Sequence, residues 1–362
     1  MRVLALASYP VEAASSRYRI VQFIEPLARR GIEVSFSPFL DAKLFARLYE
    51  PGKLLLRLPH LALRTLLRFG AAWRARKYDV VFVQREAMLF GPPVIEWLIA
   101  RVLRKPLVLD LDDATWIAYE SPVYGKLATF LKRPAKTDRL IRWARAVTCG
   151  SPNVAAHAKG SLVPTVVDTK RFRPGSTGTP ACVDDDTDKS GATPIIGWIG
   201  THGTYPYVER LLPVFERLAR DVKFRLHIIG SGRERIDVPG VEVETRPWRL
   251  EREVEDFQSL DIGIYPIDDD EWSAGKSGFK AVQYMATGVP FVMSPVGVCA
   301  TMGIDGVTHL TAKSDDEWLA ALRHLVEDRE LRRTMSAAGR AFAEQHFDVE
   351  QQADTLAAVL RS

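Results

Sequence analysis

The sequence predicts an α/β protein of two doubly wound, Rossmann-like domains. Its 362 residues exceed one ordinary hydrophobic core and suffice for two such domains. Short apolar runs alternating with helical stretches begin at Val3 and begin afresh at Ile195, the pattern of parallel βαβ units. Between them, 175–194 is rich in Gly, Ser, Thr and Asp without apolar periodicity, and reads as a mobile linker or surface loop. The expected division is an N-terminal domain, 1–168, a C-terminal domain, 169–345, and a C-terminal helix, 346–362, able to pack back on the first domain. Two domains of this kind are expected to face a central cleft that takes the ligand.

In order, Val3 to Ala7 is a buried strand, followed by a loop through Ser16, a helix through Arg29 and a cap at Gly31. Strand Ile32 to Ser37 closes the first βαβ unit. The loop has no GxGxxG fingerprint, so no dinucleotide cofactor is expected. Asp79 to Gln84 is a third strand, Pro92 to Leu103 a helix, and Leu107 to Leu111 a fourth strand that runs into Asp112 and Asp113. Polar residues just past strand ends are where such sheets hold ligands. Ala146 to Cys149 continues the sheet. In the second domain, strand Ile195 to Ile199, turn Gly200 to Thr204, helix Tyr207 to Ala219, strand Phe224 to Ile229 and Gly230-Ser-Gly repeat the opening. Strands at Val241 to Glu244, Ile262 to Tyr265 and Phe291 to Ser294 follow. From Asp315 the chain is helical, with Trp318, Leu319, Leu322 and Leu325 on one face; in the last helix Ala353, Leu356 and Val359 have core spacing.

Charge separates the halves. The net charge is only +4, yet residues 1–175 hold 29 Lys and Arg against 14 Asp and Glu. The basic half suits nucleic acid, an anionic membrane or a phosphorylated substrate. No nucleic-acid module is recognisable, so nucleic acid is set aside. Lys43 to Lys77 interleaves nine Lys or Arg with Leu, Phe and Trp against one acid, Glu50. Arg57, Arg64 and Arg68 recur at about helical spacing, which fits two descriptions: an amphipathic helix with its arginines on lipid phosphates, or a helix packed on the sheet with a solvated basic face. Arg17 and Arg19 likewise fit either an acceptor phosphate or exposed positions at a helix start. No window reaches the length of a spanning helix, no secretory signal is expected, and three scattered cysteines indicate neither disulfides nor zinc. The expected location is the cytoplasm, peripheral on the inner face of the membrane.

The most informative stretch is Glu271 to Gly297, EWSAGKSGFKAVQYMATGVPFVMSPVG. Ser277 suits an N-cap, Gly288 a helix end, and Pro290 blocks continuation. Phe279, Val282 and Ala286 share a core face, with Lys280 and Gln283 beside it. A helix N-terminus attracts phosphate even before Lys276 and Lys280 add charge; a buried helix with two snorkelling lysines is the plainer reading.

These segments resemble the GT-B glycosyltransferases, and within them the large retaining family 4, or group 1. TVVDTKRFRP resembles that family's exit from its first domain and IIGWIGTHGT the opening of its second; Gly230-Ser-Gly resembles its donor-side turn, and GFKAVQYMATGVPFVMSPVG its signature helix and strand. The resemblance implies transfer of a sugar from a UDP- or GDP-sugar to a lipid-linked or glycan acceptor, with retention, in cell-surface polysaccharide assembly. No metal or other cofactor is implied. Donor contacts fall on Gly200, His202, Gly230, Lys276, Lys280 and Gln283. Asp112, with its neighbour Asp113, aligns with a catalytic histidine. Gly275 and Gln283 stand where the family has glutamates; a subgroup with Gly-Lys, Lys280 and Gln-Tyr-Met-Ala shares this pattern. Two other readings remain. Asp110 to Asp112 resembles a metal-binding DxD of the GT-A fold, and a chain without the glutamates can be a sugar-nucleotide-binding scaffold.

Overall fold

The computed structural model describes residues 1–47, 54–118, 130–175 and 193–362. The expected linker at 175–194, apart from its edges, and Cys182 lie outside them. Two compact units result: Met1–Val166 with Gly275–Ser277 and Val349–Ser362, and Val167–Ala274 with Gly278–Asp348.

The first unit contains six parallel strands, β1 (Arg2–Ala7), β2 (Glu33–Pro38), β3 (Val80–Gln84), β4 (Leu107–Leu111), β5 (Ala146–Cys149) and β6 (Ser161–Leu162). Their order is β2-β1-β3-β4-β5-β6. After Arg2, every residue of β1, β3 and β4 is buried, as continuous apolar runs must be in a parallel sheet covered on both faces. The order turns back between β1 and β3, and in such sheets the carboxyl ends beside the turning point receive ligands. The C-terminal helix Val349–Arg361 belongs to this unit: Arg30 donates to Asp354 at 2.6 and 3.0 Å and to Glu350 at 3.2 Å, and Arg145 to the Leu360 carbonyl at 3.0 Å.

The second unit has β7 (Ile195–Ile199), β8 (Arg225–Ile229), β9 (Glu242–Arg246), β10 (Ile262–Tyr265), β11 (Phe291–Met293) and β12 (Leu310–Thr311), all parallel. Counted from β7, the order β9-β8-β7-β10-β11-β12 is 3-2-1-4-5-6, the arrangement that binds nucleotides where it reverses. Here that point lies between β7 and β10. Ile196, Trp198, Leu226, Ile228 and Ile264 meet Phe215 and Leu218, with Trp318, Leu322 and Leu325 in the same core. The helix carrying the last three, Asp315–Glu327, starts on a capping box between Ser314 and Glu317.

Three helices differ from expectation. The segment expected as one helix through Arg29 is two, Ala14–Arg19 and Ile24–Arg29, joined by a 3-10 turn at Val21–Phe23. The segment expected as one helix from Tyr207 is two, Tyr205–Glu209 and Leu212–Leu218. Pro213 has no amide to donate back to Glu209, so the second helix restarts with proline in its first turn. The segment expected as Pro92 to Leu103 is α-helical only at Val94–Trp97 and continues as a π turn, Leu98–Val102.

Candidate functional site

In the first unit, polar side chains gather past the ends of β3 and β4. Arg85 follows β3 with φ of 58°, a left-handed conformation that non-glycine residues rarely adopt, and its amide donates to the Asp110 carbonyl at 2.8 Å. Its guanidinium grips both oxygens of Asp112 and reaches Asp113; Gln84 also donates to Asp112 at 3.0 Å. Burial disfavours the charge on Asp112, but the guanidinium of Arg85 outweighs it and holds the carboxyl below its usual range. Asp112 is therefore a fixed anion, unsuited to carrying a proton at neutral pH. Beside it, burial raises Glu86 despite its ion pair with Lys136. Arg85 and Glu86 directly follow β3 in the sequence; the backbone kink that turns Arg85 onto Asp112 has no sequence signal.

Asp110 points the other way, into the core. It accepts from Arg19 Nε at 3.0 Å and Nη2 at 2.5 Å and from Thr148 at 2.6 Å, while Arg19 Nη1 donates to the Val163 carbonyl at 2.6 Å. Arg17 donates to the carbonyls of Val11 and Glu12 at 2.7 and 3.1 Å. Both arginines are buried, contrary to either sequence reading, because the helix Ala14–Arg19 packs with Ser16 through Arg19 all inside. The carboxylates of the DxD reading are thus each paired with a guanidinium, Asp110 with Arg19 and Asp112 with Arg85.

Gly275 lies against Ala114, the residue after Asp113. A Cβ on Gly275 would come 2.4 Å from the Ala114 Cβ, and Ser151 donates to the Gly275 carbonyl at 3.3 Å. This contact explains why glycine occupies a position where a glutamate was expected: the wall leaves no room for a side chain. Gly275→Glu is expected to destabilise the protein by about 1–3 kcal/mol through overpacking, read as a lower denaturant midpoint; an unchanged midpoint would contradict the contact.

In the second unit, two glycine turns meet at the carboxyl ends of β7 and β8. Gly230 has φ of 84°, and a Cβ there would lie 2.2 Å from the Gly200 oxygen; a Cβ on Gly232, φ 73°, would lie 3.2 Å from the His202 Cβ. The backbones therefore approach as only glycine permits. His202 is half-buried, and burial lowers its pKa, so the imidazole is neutral at pH 7 and adds no positive charge. NMR titration of His202 should give a midpoint below the ordinary value of about 6.5; a higher midpoint would contradict the effect of burial.

The signature helix spans Phe279–Ala286. Ser277 does not cap it: the N-cap is Gly278, left-handed at φ 67°, with no side-chain hydrogen bond to the first turn. A Cβ on Gly278 would press on Met302 and Val298. The Tyr284 hydroxyl donates to the carbonyls of Gly197 in β7 and Ile264 in β10 at 3.3 and 3.1 Å, fixing the helix at the reversal of the sheet. Lys280 Nζ donates to Gln283 Oε1 at 2.9 Å and lies 5.2 Å from the Phe257 ring centroid. Gln283 is wholly buried and donates to Glu253 at 3.4 Å. Its carboxamide thus bridges Lys280 and Glu253 and orients Lys280. Glu253, on a separate helix, Glu253–Gln258, supplies a carboxylate next to the position where the signature lacks one. That substitution crosses 30 residues and carries no motif. Lys276 is half-buried in the Gly275–Ser277 segment. The acidic turn before it is structural: Asp268 pairs with Arg210, and Asp270 caps the Ser273 amide at 2.6 Å.

The long helix Leu54–Arg74 reverses its expected amphipathicity. Arg57 and Arg68 are buried; Arg64 donates to the carbonyls of Phe39 and Pro38 at 2.5 and 2.9 Å, and Arg68 to those of Ser37 and Ala7 at 2.9 and 3.0 Å. Arg64 and Arg68 face inward because strand-end carbonyls there need donors. Leu56, Leu63, Leu66, Leu67, Phe69 and Trp73 face solvent.

Residues 193–328 match the family model described as Glycosyl transferases group 1. None of the curated proteins matches the chain. Among solved structures, HepE from Anabaena in complex with UDP and glucose is similar at 15% identity, covering 100% of this chain and 99% of that one, with a TM-score of 0.71. Sucrose-phosphate synthase from Thermosynechococcus elongatus is similar at 16% identity, with coverage of 100% and 98% and a TM-score of 0.69. The lipopolysaccharide outer core galactosyltransferase WaaB, in its apo form, is similar at 14% identity, covering 100% of each chain, with a TM-score of 0.59. The fold is that of the GT-B glycosyltransferases. With a glycosyl transferases group 1 segment in its second unit, the chain is a glycosyltransferase of the GT-B class.

Proposed function

We propose that this glycosyltransferase moves a sugar from a UDP-sugar to a lipid-linked or glycan acceptor, with retention, in the assembly of a cell-surface polysaccharide, as the retaining family 4 enzymes do. The observation that carries the donor half is the junction of the Gly200–His202 and Gly230–Gly232 turns beside the reversal of a 3-2-1-4-5-6 sheet, with the Lys280 helix anchored there by Tyr284. HepE was solved with UDP-glucose, which favours UDP over GDP as the nucleotide. Lys276, Lys280 and the positive end of the helix that starts at Phe279 would take the diphosphate charge as the sugar departs. Asp112, kept ionised by Arg85, would stand near the cationic sugar. On this reading no metal is needed, and transfer should survive excess EDTA. The acceptor would enter from the basic first unit at a membrane surface.

A panel of UDP- and GDP-sugars tests the donor: a UDP-sugar should raise the melting temperature, since a ligand of the folded state alone stabilises it. If no UDP-sugar raises it, the assignment fails. The scaffold reading draws on Gly275 and Gln283, neither of which offers a carboxylate. Donor binding with no UDP release under any acceptor would favour it.

A further inference from the structure

The helix Leu54–Arg74 presents an apolar face to solvent over much of its length. Leu56 is 81% exposed, Leu66 70% and Trp73 58%, with Leu63, Leu67 and Phe69 between them; Trp97 and Val102 extend the exposed surface. No helix is long and apolar enough to cross a membrane among the described residues, so this face is a surface feature. Beneath its edge lies a groove of about 460 Å³, lined by Ser37, Pro38, Leu66 and Leu67 and by three arginines, Arg64, Arg68 and Arg74.

The groove is short of negative charge. Arg68 is only 2% exposed and bonds two backbone carbonyls; among the described residues none of the three arginines makes an ion pair. Burial, and then the like charges of Arg64 and Arg74, push Arg68 down to about 9 against the pull of Glu96. Glu96 is itself engaged by the Ala87 amide at 2.7 Å. A buried cation without a counter-ion is costly, and guanidinium forks match phosphate oxygens.

We propose that this groove takes the phosphate of an anionic membrane lipid, seating the leucine face of the helix in an anionic bilayer surface. The positive charge of the three arginines favours an anion, and the exposed lip at Leu66 and Leu67 favours hydrocarbon joined to it. A free phosphate or an acidic peptide meets only the first requirement. A helix of 21 residues is about 30 Å long and can lie in the headgroup plane, with Trp73 and Trp97 at the depth tryptophan favours. The inference is independent of the donor reading, because every residue in it belongs to the first unit.

Flotation with vesicles tests it, using phosphatidylcholine alone and phosphatidylcholine with phosphatidylglycerol. The wild type should bind the anionic vesicles at least about fivefold more tightly, and Arg74→Glu, at an exposed position, should lower that affinity by about fivefold or more. Leu66→Ser with Leu67→Ser should lose binding to both. Arg68→Met leaves the Ser37 and Ala7 carbonyls without their donor and should melt lower than wild type, and the folded variant should no longer prefer phosphatidylglycerol. Should Arg68→Met fail to fold, the Arg74 and leucine variants decide. Equal binding to both vesicles, no binding, or indifference to Arg74→Glu overturns the proposal. Loss of anionic-vesicle binding in millimolar inorganic phosphate would make the groove a small-ion site and overturn it. So would a dimer in light scattering that the leucine variant dissolves.

Discussion

Arg19→Met is expected to lose about 3–5 kcal/mol of stability, the usual cost of removing one partner of a buried ion pair. Arg19 and Asp110 are both almost fully buried and bonded at 2.5 and 3.0 Å. Arg19 also holds the Val163 carbonyl, so it ties the helix Ala14–Arg19 to β4 and to the exit from β6. Without it the Asp110 carboxylate keeps Thr148 but has no cation at hand. Replacing both partners, Arg19→Met with Asp110→Leu, should recover much of the loss, because the stranded charge is gone. Urea unfolding of the three proteins checks this. An Arg19→Met midpoint equal to wild type would show that the pair does not staple the first unit.

Asp112→Asn is expected to slow UDP release from the donor by about 100-fold or more, the scale seen when a group aimed at developing charge is removed. The amide keeps the carboxylate's shape but brings no negative charge to a cationic sugar. Arg85 retains Asp113 as a partner, so the folded state should survive. Donor affinity should be unchanged, since the proposed donor residues lie elsewhere in the sequence. Turnover equal to wild type would remove Asp112 from the reaction; turnover and affinity falling together with the melting temperature would make it structural.

Much of the fold was legible because parallel strands buried on both faces must be continuous apolar runs. β1, β3, β4, β7 and β10 stand out in that way, and Gly200, Gly230 and Gly288 mark the turns. What was not legible depends on which way a side chain points once the sheet has formed. Arg57, Arg64 and Arg68 have the spacing of a solvated basic face, yet strand-end carbonyls at Ser37, Pro38 and Phe39 draw Arg64 and Arg68 inward and Arg57 is buried as well. Local propensity favoured Ser277 as the N-cap, but tertiary packing put Gly278 there in a left-handed conformation. Gln283 has the chemistry of a ligand contact, and only its burial beside Glu253 shows that it serves Lys280. The exchange of a signature glutamate for Gly275 is explained by Ala114, far away in sequence and invisible until the chain is folded.

Calorimetric titration of a UDP-sugar into the wild type and into Lys280→Ala tests the central claim most directly. One site is expected on the wild type, with binding weakened roughly 10- to 150-fold in the variant, the range for losing one hydrogen bond to a charged group. The melting temperatures of the two unliganded proteins should agree closely, because Lys280 is only half-buried. Equal affinity in the two proteins, or no binding of any nucleotide sugar to the wild type, would contradict the account.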